Sequence, residues 1–405
     1  MASAEELRAR IDELSQELER QNRSSKISTL EHQRSVARCQ LNGLVDPVAR
    51  LPLEISSDIF HQCLSSRHDV PTCSTLLRVC HAWNDIALAT PSLWNDIVSA
   101  DVPDAKVADF LQIWLPRSRS LRFTLTFRRI HCPHLDDAID VLRKHAHRLQ
   151  TLLAIDMEPT SVTMALHALK SLTMVARVYQ CLSFPLSTIV DMLRAAPNLE
   201  SCHFASLQYH TSPVEVPLTC ASLRDLRLSL EPSGYGISSA ELLLHLTLPA
   251  LETLYVSQFN IDETEFLKFL IRSSPPLRLL YLWFQIDRVT VLSPGLVACL
   301  QTIPSLTDLE LLTPLKCSSH ILDTLAATPA LLPNLQNITI HGRIRSAEGY
   351  PRVVNFLASR RATMRRLRLV GVDEKSFFEA VGPGVREFVD DGIDIVVGLQ
   401  EDDGM

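Results

Sequence analysis

The residues that could carry out catalytic or metal chemistry are dispersed along this 405-residue chain. Among fourteen histidines and ten cysteines, one metal-like cluster occurs, His131-Cys132-Pro133-His134, and it lacks the second ligand pair of a structural zinc site. The cysteines form no C-x-x-C pair, and no phosphate-binding loop, nucleophile elbow or H-E-x-x-H motif is present. We therefore expect no catalytic residue, no metal and no cofactor, and a protein that is not an enzyme.

Residues suited to recognising another protein are concentrated in one part of the chain. With only four Trp and six Tyr in the sequence, three aromatics lie close together, and corresponding positions on either side carry charges. Aromatic side chains ringed by charges are typical of protein-binding hot spots. The predicted target-binding residues are Arg227, Tyr255, Tyr281, Trp283, Asp308 and Glu310. Two alternatives stay open: another segment covers these residues, or a one-residue change of register buries Trp283.

A repeated pattern predicts the elements that would position these residues. Lines of the form Leu-x-x-apolar-x-apolar begin at Leu199, Leu223, Leu251, Leu277, Leu306, Leu335 and Met364, with weaker lines at Leu149 and Leu169. The seven stronger starts are 24 to 29 positions apart, a period that resembles degenerate leucine-rich repeats. Helical segments between the lines end at prolines such as Pro197 and Pro304. We predict a solenoid over residues 99–398, with parallel strands inside and helices outside, hence an α/β fold.

A second segment, residues 47–98, has the pattern of short amphipathic helices. Leu51-Pro52-Leu53-Glu54-Ile55 opens it, Val79-Cys80-His81-Ala82-Trp83 follows, and Thr90-Pro91-Ser92-Leu93-Trp94 closes it. Order and spacing together resemble a three-helix F-box, with an ending similar to the fungal (basidiomycete-like) form. The resemblance implies a partner, the Skp-type adaptor protein, and through it a cullin. The residues that match the adaptor-facing positions of the family are Leu51, Pro52, Leu53, Ile55, Ile59, Phe60, Val79, Cys80 and Trp83.

Each of these residues could instead be plain core. Fifty residues of short helices bury too little surface to be very stable alone. Some apolar side chains of the segment must therefore face another surface, either the rest of the chain or a partner.

The first 46 residues are predicted to form one long N-terminal helix. Leu7, Ile11, Leu14 and Leu18 make a heptad seam, which falters near Asn22 and resumes in a shifted phase. Either the helix packs its second half on the F-box, or it forms a short coiled coil through which the chain could self-associate. Residues 399–405 form an acidic tail.

Composition narrows the class of function. The net charge of −7 and the lack of a basic stripe argue against nucleic-acid binding. The sequence shows neither a secretory signal nor a membrane span, so we expect no membrane association and a cytoplasmic or nuclear location. The features together favour a substrate-recruiting adaptor of a Skp–cullin–F-box ubiquitin ligase, with a target protein bound by the repeats. The alternative is a non-ligase interaction scaffold in which the F-box caps the repeat solenoid.

Overall fold

The computed structural model describes residues 3–20, 24–64, 73–99, 102–128, 135–155, 166–175, 183–205, 208–210, 217–229, 239–259, 262–284, 293–312, 318–342 and 346–398. These residues have a mixed α/β fold, which confirms the predicted class. The chain divides into a first unit, residues 1–97 with 106–124, and a second unit, residues 98–105 with 125–405. The cluster at 131–134 and the acidic tail at 399–405 lie outside the described residues.

The α-helices of the described residues are α1 (Ala4–Arg20), α2 (Ser24–Val45), α3 (Leu53–Leu64), α4 (Cys73–Val79), α5 (His81–Ala89), α6 (Val107–Arg117), α7 (Leu135–His145), α8 (Leu186–Ala195), α9 (Glu263–Ser273), α10 (Pro294–Gln301), α11 (Ser318–Ala327), α12 (Ser346–Arg360) and α13 (Glu374–Asp390). The strands are β1 (Asp96–Val98), β2 (Phe123–Arg128), β3 (Leu149–Ile155), β4 (Ser171–Val175), β5 (Ser183–Pro185), β6 (Ser201–Ala205), β7 (Gln208–His210), β8 (Leu218–Thr219), β9 (Asp225–Ser229), β10 (Leu246–Thr247), β11 (Thr253–Phe259), β12 (Leu279–Phe284), β13 (Asp308–Leu312), β14 (Asn337–His341), β15 (Arg366–Val370) and β16 (Asp394–Gly398).

The N-terminal residues form two helices, so the prediction of one long helix is wrong. Helices α1 and α2 pack against each other, and the seam residues Leu7 and Leu14 of α1 are buried together with Ala37 of α2. The two helices are separated at the point where the seam falters. A polar helix can bury its narrow apolar stripe only against a second surface. Because α1 and α2 pack against each other, each helix supplies that surface for the other within the same chain.

The core of the first unit forms between helices α3, α4 and α5. Its fully buried aromatic side chains are Phe60 and Trp94, and they contact buried Cys73, Leu76 and Leu93. Burying an apolar side chain of this size contributes roughly 1.5–3 kcal/mol. The apolar residues at helical spacing therefore hold the predicted helices of this segment together.

One sheet of twelve strands runs in the order β1-β2-β3-β4-β6-β9-β11-β12-β13-β14-β15-β16, and two small sheets pair β5 with β7 and β8 with β10. Neighbours from β3 to β16 in the large sheet are parallel, and their register is regular except at β11, where it shifts against β12 between Val256 and Phe259. Each strand from β6 to β15 in this sheet begins two residues after the first residue of its repeated line. The repeated lines therefore mark the strand positions.

Alternation along the strands sets the two faces of this sheet. In β9, Leu226 and Leu228 are buried, whereas Asp225, Arg227 and Ser229 are not. The same two-residue period recurs in β6, β13 and β14. Side chains at alternate positions point to opposite faces, so the leucines form the core and the polar residues lie on the other face, called the open face below.

Polar turn residues connect one line to the next. The Asn198 side-chain amide donates to the carbonyl of His167 at 2.8 Å, and that of Asn334 donates to the carbonyl of Pro304 at 2.9 Å. The hydroxyl of Ser305 donates to the carbonyl of Leu277 at 2.8 Å. Each bond satisfies a turn carbonyl of the preceding line, which helps to fix the register of successive strands.

Candidate protein-docking surfaces

An exposed apolar run begins at the N-terminus of α3. Leu51, Leu53 and Ile55 expose 41%, 44% and 47% of their surface, and Pro52 between them is also exposed. The opposite side of the helix is anchored because the buried Ser56 hydroxyl donates to the carbonyl of Val48 at 2.9 Å. Four of the nine predicted adaptor-facing residues, Leu51, Pro52, Leu53 and Ile55, are thus accessible, and they are called the docking run below.

The other five predicted residues are less accessible. Ile59, Val79 and Trp83 are half-buried, whereas Phe60 and Cys80 are buried in the first unit. Phe60 packs against Trp83 with ring centroids 5.0 Å apart. The expectation that Phe60 and Cys80 face a partner is therefore wrong for the chain by itself. Phe60 lies on the inward face of α3, and Cys80 is buried in extended backbone between α4 and α5.

Two further exposed residues were not predicted for this surface. Leu44 and Val45, at the end of α2, expose 40% and 43% of their surface. The guanidinium of Arg50 donates to the carbonyl of Leu44 at 2.6 Å, which ties the end of α2 to the start of the docking run. A signal for this exposure is present in the sequence, because Leu44 and Val45 are adjacent and one face of a helix cannot bury both.

Two tryptophans of the first unit, Trp83 and Trp94, differ in how their indole N–H groups are satisfied. The Nε1 of Trp94 donates to the carbonyl of Ala87 at 2.8 Å, and its ring lies edge-on to Trp114 and beneath the Arg117 guanidinium. Within the described residues the Nε1 of Trp83 is buried without an acceptor. An unsatisfied buried donor carries a desolvation cost that a satisfied one does not.

We expect Trp94→Phe to lower the free energy of unfolding by about 2–3 kcal/mol, through a lost hydrogen bond and a cavity. Trp83→Phe should cost less than about 1 kcal/mol because it also removes the unsatisfied donor. Chemical denaturation followed by far-ultraviolet circular dichroism measures both values. Equal losses for the two variants would show that the indole N–H groups do not decide the difference.

The predicted aromatic residues lie on the open face of β11 and β12 and are called the aromatic patch, Tyr255, Tyr281 and Trp283. The two tyrosine rings stack with centroids 3.8 Å apart and an interplanar angle of 8°. Tyr255 and Trp283 are half-buried, but Tyr281 is only 9% exposed. The prediction that Tyr281 is accessible is therefore wrong, because its neighbour in register covers it. Burial, followed by the hydrogen bond with Tyr255, raises the pKa of Tyr281.

The charged residues that flank the aromatic patch differ in availability. Both carboxylate oxygens of Asp308 accept bonds within the chain, from Asn337 at 2.6 Å and from Thr307 at 2.5 Å. Glu310 has one oxygen 2.7 Å from His341 Nε2. Arg227, on the other side, lies 3.3 Å from an oxygen of Asp225. Glu310 and Arg227 are thus better placed than Asp308 to meet a partner, and Asp308 fixes neighbouring strands.

His203 extends the open face beyond Arg227. Its Nε2 lies 2.9 Å from the Ser229 hydroxyl, and its pKa is lowered first by burial and then by the charge of Arg227, with Asp225 opposing. His203 was not among the predicted site residues, although it occupies the position in β6 that Arg227 occupies in β9.

A lowered histidine pKa makes stability fall on acidification. The unfolded imidazole regains its ordinary value of 6.5 and takes up a proton that the folded state resists, so stability drops as pH falls below that value. We expect His203→Gln to flatten the stability profile between pH 7.5 and 5.5, as measured by denaturation at each pH. The exposed His147→Gln is the control, and an equal change in both would refute a specific role for His203.

Residues 48–99 match the F-box-like family, and this segment contains α3, α4, α5 and the docking run. The chain therefore carries an F-box-like domain, a type of domain associated in general with substrate adaptors of ubiquitin ligases and with binding to Skp-type adaptors. No curated protein matches the chain.

Two further properties concern the described part of the chain. Among its helices, none is both long and apolar enough to cross a membrane. Its His, Cys, Asp and Glu side chains form no group of three that could hold a metal ion.

Proposed function

We propose that this protein is a substrate-recruiting adaptor of a Skp–cullin–F-box ubiquitin ligase. The docking run binds the Skp-type adaptor and through it a cullin, and the open face of the sheet binds a target protein. Covalent chemistry belongs to other subunits, and this chain contributes proximity.

The observation that carries the adaptor half of the proposal is the exposure of the docking run inside the F-box-like segment. Leu51, Leu53 and Ile55 are large apolar side chains that lie within five residues of sequence and are all exposed in the chain by itself. Several large exposed apolar side chains in one short segment are typical of interaction sites. Its location within the family match favours the Skp-type adaptor as the partner.

The target half of the proposal depends on the repeated second unit. We interpret its strand and helix alternation as a degenerate leucine-rich-repeat solenoid, with the open face of the sheet on the inside. Trp283 and Tyr255 are the accessible aromatics there, between Arg227 and Glu310. Such aromatic anchors supply large contact area at low entropic cost. We also propose that the protein is fungal, from the form of residues 90–94, and acts in the cytoplasm or nucleus.

A second candidate function is a scaffold that joins no ligase, with the F-box as a cap of the solenoid. The burial of Phe60 and Cys80 favours it, because these two residues contribute to internal packing in the chain by itself. Self-association through α1 is disfavoured by the burial of Leu7 and Leu14 within the chain.

The test is affinity purification from cell extract with mass spectrometry, using three proteins. Wild type should capture the Skp-type adaptor, a cullin and a target. A docking variant, Leu51→Ser with Leu53→Ser and Ile55→Ser, should lose the adaptor and cullin and keep the target. A patch variant, Tyr255→Ala with Trp283→Ala, should do the reverse. Capture of the adaptor without any cullin would favour the scaffold, and identical captures by all three proteins would contradict both halves.

A further inference from the structure

The last strand of the sheet has an edge that no other described strand covers. Within the described residues β16 pairs with β15 alone. Asp394 N donates to the Arg365 carbonyl at 2.8 Å, and the Gly398 carbonyl accepts from Gly371 N at 2.8 Å. Because backbone groups alternate in direction along a strand, Asp394 and Gly398 face β15, whereas Ile395 and Val397 direct their N–H and C=O groups to the free edge.

A cleft lies beside this edge, at the start of α13. Its volume is about 680 Å³, and its lining residues are Asp373, Glu374, Lys375, Phe378, Glu379 and Gly398. Phe378 and Val396 expose 39% and 41% of their surface. Free backbone groups next to exposed apolar side chains are what an added peptide strand uses: the backbone gives affinity and alternate side chains give selectivity.

The charges of the cleft determine which occupant fits. Asp373 uses its carboxylate to cap α13 through Ser376 N at 2.8 Å. Glu374 and Glu379 remain exposed, with Lys375 only 3.9 Å from Glu379 as an opposing charge. The residues that line the cleft therefore include three acidic side chains and one basic side chain. A cationic segment would be attracted here, and an anionic one repelled.

The same charges disfavour two occupants of the cleft that this protein itself could supply, which are residues 399–405 and a second copy of the chain. Residues 399–405 contain three acidic residues and no basic residue. A second copy pairing through the same edge would bring Asp394–Gly398, which contains one acidic residue and no basic residue. Since like charges facing each other are destabilising, neither occupant matches the cleft as well as a basic partner.

We propose that the edge of β16 and the adjoining cleft bind an extended segment of another protein rich in lysine or arginine, which adds a further strand to the sheet. The apolar side chains of the segment cover Val396 on the open face, and its basic side chains, at the alternate positions, point toward α13. There their aliphatic stems cover Phe378 and their charges meet Glu374 and Glu379. The site is separate from the docking run and from the aromatic patch, so it stands whether or not the ligase proposal does.

The test uses the full chain and a fluorescein-labelled nine-residue peptide of alternating valine and lysine, with a valine–glutamate peptide for comparison. Fluorescence anisotropy should show at least about tenfold tighter binding of the lysine peptide. Ile395→Pro should remove at least about tenfold of that affinity, because proline deletes an edge-facing N–H without touching the bonds to β15. Circular dichroism establishes that this variant is folded.

A charge reversal gives a second, independent arm. Glu374→Lys with Glu379→Lys should invert the preference toward the glutamate peptide, and these exposed helix positions tolerate lysine. Glu17→Lys with Glu19→Lys in α1 changes the net charge equally and should leave the preference as in wild type. Equal effects of the two double variants would mean bulk charge attraction and overturn the proposal. So would a concentration-dependent dimer that Ile395→Pro abolishes, which would assign the edge to a second copy.

Discussion

Replacing Leu51, Leu53 and Ile55 together with serine is expected to weaken binding of a Skp-type adaptor by about 100- to 1,000-fold. Each buried apolar side chain contributes roughly 1.5 kcal/mol to an interface, and every 1.4 kcal/mol is about tenfold in affinity. The contributions of neighbouring residues to binding are not additive, so the combined loss of affinity can be smaller than their sum. The lower end of the expected range reflects this. Isothermal titration calorimetry with purified adaptor measures the effect.

The same triple variant should keep the stability of the wild type, because all three side chains are exposed in the chain by itself. Phe60→Ala, in contrast, should cost about 3–5 kcal/mol of unfolding free energy, as large-to-small changes of buried aromatics do. Ile113→Ser with Leu121→Ser is the matched control, since both are exposed apolar residues of the same unit. Loss of adaptor binding in that control, or an unfolding loss in the triple variant as large as that of Phe60→Ala, would contradict a specific docking run.

The second large effect is expected at Arg360, a buried arginine at the end of α12. Its guanidinium donates to the carbonyls of Leu325, Thr328, Leu331 and Leu332. These carbonyls belong to the end of α11 and the turn after it, where Leu332 has a φ of 55°. A non-glycine residue in this region is strained, so Arg360 holds together a turn that its backbone alone disfavours.

We expect Arg360→Met to lower the free energy of unfolding by about 3–5 kcal/mol, because it removes four hydrogen bonds from a charged, buried donor to the carbonyls of the turn. Methionine is similar in length, so lost hydrogen bonds rather than a cavity dominate. Arg365→Met, at an exposed position nearby in sequence, is the control and should change stability little. Urea denaturation measures both, and a similar small loss in both variants would show that the carbonyl contacts contribute nothing.

The strands and the F-box-like segment could be predicted because their signals are local and periodic. Leu226 and Leu228 mark the buried face of β9 by alternation alone. Leu51-Pro52-Leu53 and Val79-Cys80 are informative through their order and spacing, which a single sequence shows directly. Patterns of this kind need no knowledge of which distant residues meet.

The features that were mispredicted or missed depend on contacts between residues far apart in the chain. The covering of Tyr281 requires the ring of Tyr255, which belongs to the preceding strand. Burial of Phe60 requires a set of helices that pack on it, and helical spacing does not distinguish a core position from a docking position. The role of Arg360 is set by a turn nearly thirty residues earlier, and no local pattern records it.

The most direct test of the central claim is calorimetric titration of the full chain with a purified Skp-type adaptor. We predict a single site with a dissociation constant below about 1 μM, corresponding to roughly −8 kcal/mol. The binding should be lost in the triple variant of Leu51, Leu53 and Ile55. Absence of binding by the folded wild-type chain at tens of micromolar adaptor, on the order of −6 kcal/mol or weaker, would contradict the claim that this protein recruits a ligase.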